Sequence, residues 1–211
     1  MVRVAECLKI NRQDDLHHNG SLRLWKVCIL SVYRSTLGAV LSEKLGWPLY
    51  EGDDYHPQEN IEKMARGEAL TDQDRLPWLL KLHEIIQRER SSGSDALVVC
   101  SALKRLYRQI LLNGSKALAA SSSQDQEIQP STSTGVFFLF LHGDYDLIYQ
   151  RMVARRGHYM KADLLRSQFD ALEPPLDDEN VLSLDISRSI TDMAMVVEKH
   201  INRLKTTPAV F

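Results

Sequence analysis

An α/β fold built on a parallel sheet is predicted by three observations. Short runs of β-branched and aliphatic residues recur along the chain, segments of helical periodicity separate them, and several runs are apolar without a break. Unbroken apolar strands are buried on both faces, as in a sheet covered by helices on two sides. The expected architecture is therefore three layers, with five parallel strands in the middle. The 211 residues amount to about 1.4 typical domains, which fits one domain with room for an insertion.

Residues 1–23 carry no clear period and read as a poorly ordered N-terminal extension, leaving 24–205 as the domain. Residues 24–30 (LWKVCIL) form the first expected strand. Leu37, Val40, Leu41 and Leu45 then mark one face of a helix ending near Gly46. Residues 48–51 are a short second strand, with Asp53 and Asp54 just past its end, and Pro57 suits the first turn of the next helix. Leu79, Leu82 and Ile86 form the buried stripe of a helix over 76–90. Strands three, four and five are read at 96–100 (ALVVC), 136–141 (VFFLFL) and 181–186 (VLSLDI). The Ser- and Thr-rich stretch 115–135 reads as a flexible surface insertion, since strands continue on both sides of it.

Composition excludes several classes. Lys and Arg number 26 against 28 Asp and Glu, a net charge of −2, too balanced for binding nucleic acid or acidic lipid through bulk charge. No apolar run approaches the roughly 20 residues that cross a bilayer. Three widely spaced cysteines, Cys7, Cys28 and Cys100, match neither a zinc nor a redox spacing and fit a reducing cytosol. A cytoplasmic protein without a nucleic-acid or membrane partner is expected.

In an open α/β sheet, ligands collect at the C-terminal ends of the strands. After the first strand, CILSVYRST (28–36) enters a helix where a phosphate-binding loop would lie. Of the pattern G-x-x-x-x-G-K-[ST], only the closing hydroxyls remain, Ser35 as a Mg²⁺ ligand and Thr36 beside it, with Arg34 at the lysine position. An ordinary turn capped by Ser35 reads equally from these residues. After the second strand, Glu51, Asp53, Asp54 and His56 gather carboxylates that can hold a metal-bound water or take a proton from a hydroxyl. Arg75 can grip a carboxylate through a two-pronged hydrogen bond or serve only as a solvated charge at a helix start. Lys104 follows the third strand at another helix start. Arg151 and Arg155, spaced i, i+4 with Arg156 beside them and Gly157 beyond, suit a helical lid over 151–170 that closes on phosphate, or a solvated basic face.

Taken together, four strings resemble the gluconokinase family, small P-loop kinases: STLGAVLSEKLGW, EGDDYHPQENIEKMARGEALTDQDRLPWL, VVCSALKRLYRQIL and RRGHYMKADLLRSQFDALEPP. The resemblance runs from Ser35 to about Leu204. It implies a three-layer P-loop kinase fold, ATP and Mg²⁺ as cofactors, D-gluconate as substrate, 6-phospho-D-gluconate as product, and a homodimer by analogy. It implies Asp53 as the base toward the 6-hydroxyl, with His56, Arg75 and Lys104 lining the acid pocket. It further implies Arg151 and Arg155 in the lid, Glu51 and Ser35 near Mg²⁺, and nucleotide contacts from Arg34, Ser35, Thr36, Arg151 and Pro174, the last in a stretch from Gln168 bordering adenine. The family's GVSGSGKST is replaced here by CILSVYRST, so the glycines and the lysine are gone. Tyr33 at a glycine position would cost about 1–2 kcal/mol in a left-handed conformation. A non-catalytic, sugar-acid-binding or regulatory protein is the alternative that this departure implies.

Overall fold

The computed structural model describes residues 7–10, 24–27, 34–121, 136–154, 164–176 and 180–206. Its strands are β1 (Cys7–Ile10), β2 (Leu24–Val27), β3 (Leu49–Glu51), β4 (Ala96–Val99), β5 (Phe137–His142) and β6 (Val181–Asp185). Its longer helices are α1 (Arg34–Leu45), α2 (Gln58–Ala65), α3 (Asp72–Ser92), α4 (Arg105–Asn113), α5 (Lys116–Ser121), α6 (Tyr145–Ala154), α7 (Leu164–Asp170) and α8 (Ile190–Thr206). A 3₁₀ turn, Gly52–Tyr55, links β3 to α2.

The strands form one sheet in the order β3-β4-β2-β1-β5-β6. β2 pairs parallel with β4, β4 with β3, and β5 with β6, whereas β1 runs antiparallel to both β2 and β5. The expected five-stranded, purely parallel sheet is thus corrected: a sixth strand, drawn from the stretch read as an unstructured extension, lies between β2 and β5. Its four residues, CLKI, are too short to announce a strand by period, and pairing on both edges satisfies the backbone there. The remaining residues of 1–23, and residues 28–33 of the phosphate-loop reading, lie outside the described residues.

Chain direction explains the layers. From β2 the chain steps two places to β3, then turns back to β4 and on to β5 and β6. Right-handed crossovers therefore place the β2-to-β3 helix α1 on one face and the later connecting helices on the other. Accordingly α1 packs with α8, while α3 packs with α4 and α4 with α5. β4 is buried along its whole length and β5 along all but its last residue, as expected of covered strands. β6 is the exception: it lies at the sheet edge, and only Leu184 in it is fully buried.

Helix α3 starts four residues before the position expected from its apolar stripe. Thr71 and Asp74 make a reciprocal capping box, which fixes the start at Asp72 and leaves Pro77 inside the helix rather than in its first turn. Its stripe Trp78, Leu79, Leu82, Ile85 and Ile86 is buried in the core. The stretch 115–135 begins not as loose chain but as α5, whose Ala117 is buried beside α4; residues 122–135 lie outside the described residues. No described helix is long and apolar enough to cross a membrane.

Candidate active site

The ends of β3 and β4 approach closely enough to decide which residue can follow β3. A Cβ on Gly52 would sit 2.5 Å from the Val99 carbonyl oxygen and 2.7 Å from Cys100 Cβ, so only glycine fits. The Gly52 carbonyl accepts a hydrogen bond from the Trp78 indole N–H at 2.7 Å. This fixes the 3₁₀ turn against α3 and sets the direction in which Asp53 leaves the sheet.

Asp53, His56, Met64, Glu68, Ala69, Leu70, Arg75, Ser101, Ser167 and Gln168 line a small cleft beside that turn. It opens at the C-terminal ends of β3 and β4, where an α/β sheet binds its ligands. The His56 ring stacks on Trp78, with centroids 4.3 Å apart and planes 12° apart. Asn60 donates its side-chain amide to the Asp74 carbonyl at 2.7 Å and approaches His56 Nδ1 at 3.4 Å. An amide nitrogen only donates, so Nδ1 accepts and the ring keeps its proton on Nε2. The cleft thus offers a guanidinium, an imidazole N–H, two carboxylates, two hydroxyls and an amide. That set can bind an acid group and hydroxyls at once, and it places a carboxylate where it can take a hydroxyl proton.

Beside the cleft, a second cluster steadies Arg75. Asp72 accepts from Lys104 Nζ at 2.8 Å on both oxygens and from the Tyr107 hydroxyl at 2.5 Å. The Arg75 guanidinium lies 5.9 Å and the Lys104 ammonium 5.7 Å from the centre of the Tyr107 ring, within cation–π range. Lys104, then Tyr107, hold the Asp72 carboxyl below its usual range. Burial, followed by the bond to Asp72, pushes the Tyr107 hydroxyl up. Burial lowers Arg75, while Tyr107, Asp72 and Asp74 oppose that shift; the guanidinium stays charged.

The structure brings Asp53, His56 and Arg75 together at one cleft. Lys104 stands beside these lining residues, held by the carboxylate that the first turn of α3 presents. Gln168 lines the same cleft and is buried there. Glu51 ends β3, half-buried. Arg34, Ser35 and Thr36 form the first turn of α1, whose N–H groups have no partner within the helix, a position that suits phosphate. Thr36 is exposed, and the side chains of Arg34 and Ser35 lie outside the described ones. Pro174 is exposed in the segment after α7. Arg151 donates to the Ile186 carbonyl at 2.9 Å, at the end of edge strand β6 and so across the sheet from the cleft. Helix α6 is described as far as Ala154, and Arg155 lies outside the described residues.

Sequence reasoning missed Trp78, Asn60 and Glu68. Trp78 sits in an apolar stripe and reads as core, although its N–H needs a partner. The i, i+4 spacing of His56 and Asn60 was a usable signal, because Pro57 opens the helix between them.

No protein-family profile matches the chain. It is 42% identical over 164 residues to a probable gluconokinase of Rattus norvegicus, covering 78% of this chain and 89% of that one. It is 37% identical over 161 residues to the thermosensitive gluconokinase of Escherichia coli, covering 76% of each. Among solved structures, a sugar kinase from Janibacter sp. superposes with a TM-score of 0.68 at 32% identity, over 83% of this chain and 92% of that one. A gluconokinase from Sinorhizobium meliloti gives 0.63 at 32% identity, over 85% and 91%.

Proposed function

The chain belongs to the gluconokinase family and is a carbohydrate kinase, and from that premise we propose that it transfers the γ-phosphoryl group of ATP to the 6-hydroxyl of D-gluconate. The observation that carries this reading is the single cleft in which Asp53, His56 and Arg75 meet at the strand ends. Arg75 pairs with the carboxylate of the acid, where a guanidinium fork fits two oxygens. His56 Nε2–H, Ser101, Gln168 and Glu68 bond the hydroxyls along the carbon chain. Asp53 orients the 6-hydroxyl: its oxygen forms the new bond to phosphorus, the bond from phosphorus to the β-phosphate oxygen breaks, and the hydroxyl proton passes to the Asp53 carboxylate.

For the nucleotide, the first turn of α1 follows β2 at the point where strand order reverses, which suits phosphate even though the preceding loop carries no glycine. Arg34 supplies charge there, Ser35 and Thr36 supply hydroxyls, and Pro174 borders the base. Glu51 and Ser35 would be the oxygen ligands for Mg²⁺, which when bound would offset the charge on the phosphate oxygens. Arg151 and Arg155 would act from a lid only after Arg151 leaves the Ile186 carbonyl that it bonds here.

A coupled assay with gluconate and ATP, together with separate calorimetric titrations of each, tests the reading. We expect 6-phosphogluconate to form, and Asp53→Asn to lower kcat by about 10²- to 10⁴-fold with gluconate still bound. Gluconate binding without any turnover by the unmodified chain would refute catalysis and leave a sugar-acid-binding protein. Restoring Cys28→Gly, Tyr33→Gly and Arg34→Lys then reads how much the altered loop costs. The elution volume of the same preparation tests a homodimer.

A further inference from the structure

The geometry points to Arg108 as a positioning residue that sets the width of the acid-binding cleft; only the choice of acid rests on the gluconokinase reading above. Arg108 lies in α4 at 1% exposure. Its Nη1, with two N–H bonds, reaches the carbonyls of Ala102 at 3.2 Å, Leu103 at 3.3 Å and Glu173 at 3.0 Å, so one N–H is shared between two of them. Two of these follow directly on Ser101, one wall of the cleft. The third lies five residues beyond Gln168, which with Ser167 forms another wall.

Two further bonds run between the same segments. The Glu173 N–H donates to the Leu103 carbonyl at 2.9 Å, and the Glu173 carboxylate accepts from the Arg105 N–H at 2.7 Å, capping α4 from outside. The link from cleft to clamp is short and itself bonded, Ala171 N–H to the Ser167 carbonyl and Leu172 N–H to that of Phe169, so a shift of Glu173 is passed to Gln168. Filling this space does not require a charge. An apolar side chain would pack at lower desolvation cost, but it would leave carbonyls from two segments without their shared donor.

Arg108→Lys keeps the charge and replaces the planar fork with one ammonium, and Arg108→Met keeps only the stem. With the tie weakened, the α7 wall moves away from Ser101. The gluconate KM is expected to rise at least tenfold in Arg108→Met and by less in Arg108→Lys. The preference for gluconate over a five-carbon aldonate should fall at least fivefold, and amide exchange over 164–176 should rise. A lower folded fraction alone would scale turnover of both acids equally and leave KM and preference unmoved. Folded variants with wild-type KM and wild-type preference would overturn the proposal. If the wild type phosphorylates no aldonate, the gluconate reading fails, and unchanged exchange over 164–176 in Arg108→Lys is then what overturns the role of Arg108. If neither variant folds, the wild type still decides: gluconate must slow exchange at 101–105 and 164–176 together, and slowing in one segment alone refutes the coupling.

Discussion

Replacing Gly52 with alanine tests how the cleft is built. The added methyl would lie 2.5 Å from the Val99 carbonyl oxygen, 2.7 Å from Cys100 Cβ and 3.2 Å from Cys100 Cα, against ordinary carbon contacts of about 3.5–4.0 Å. None of these atoms is the tip of a flexible side chain, and Val99 and Cys100 are buried. The ends of β3 and β4 must therefore spread by about 1 Å. Overpacking of this kind costs about 1–3 kcal/mol. Loosening the 2.7 Å bond from Trp78 to the Gly52 carbonyl adds about 1 kcal/mol. The total of about 2–4 kcal/mol, divided by a urea slope of about 2 kcal/mol/M, lowers the unfolding midpoint by about 1–2 M. Asp53 is the next residue, and misplacing it by about 1 Å should cost about 10²-fold in kcat/KM. Gly38→Ala is the control: its methyl would meet only the side-chain tips of Leu49 and Val99, at 3.1 Å, and a helix interior gains about 1 kcal/mol from alanine. The two effects should leave Gly38→Ala within about 1 kcal/mol of wild type. A Gly52→Ala protein with the same urea midpoint as Gly38→Ala would refute the close approach of the two strand ends.

Trp78→Phe keeps a ring over His56 but leaves the Gly52 carbonyl without its donor; urea melts should show a loss of about 1–3 kcal/mol, with the gluconate KM changing less than the stability. Arg75→Lys gives up the two-pronged grip, and steady-state kinetics should show the gluconate KM raised by about 10-fold or more with the ATP KM unaltered. Asp72 has a folded-state pKa below its unfolded value, so the stability it contributes is present above about pH 4 and is lost as the pH falls through the lower folded value. Urea melts across that range should show wild type ahead of Asp72→Asn at neutral pH and the gap closing below about pH 4; a gap that widens in acid would show that Lys104 and Tyr107 do not stabilise the charged form.

Lys104 and Arg75 flank one tyrosine ring, yet only Arg75 lines the cleft, because Asp72 takes Lys104 on both carboxylate oxygens. The cleft itself therefore presents one guanidinium, while the second cation lies against the same ring outside it.

Features that depend on neighbours a few residues apart are legible in the chain. Apolar runs such as ALVV and FFLFL specify buried strands, the stripe Leu79, Leu82 and Ile86 specifies a helix face, and the order of polar strand ends places Asp53 and His56 at a ligand-binding edge. Thr71 and Asp74 carried the start of α3 in plain view, since a capping box spans only three residues. Tertiary structure alone decided the rest. Four residues of β1 become a strand only because β2 and β5 offer them edges on both sides. Trp78 turns from core residue to support of the site only through a carbonyl 26 residues away, and Arg108 from helix residue to clamp only through one 65 residues away. Periodicity records which face of an element is apolar, whereas a hydrogen bond between distant segments exists only once chain closure has brought donor and acceptor within 3 Å or so, and no local pattern encodes that meeting.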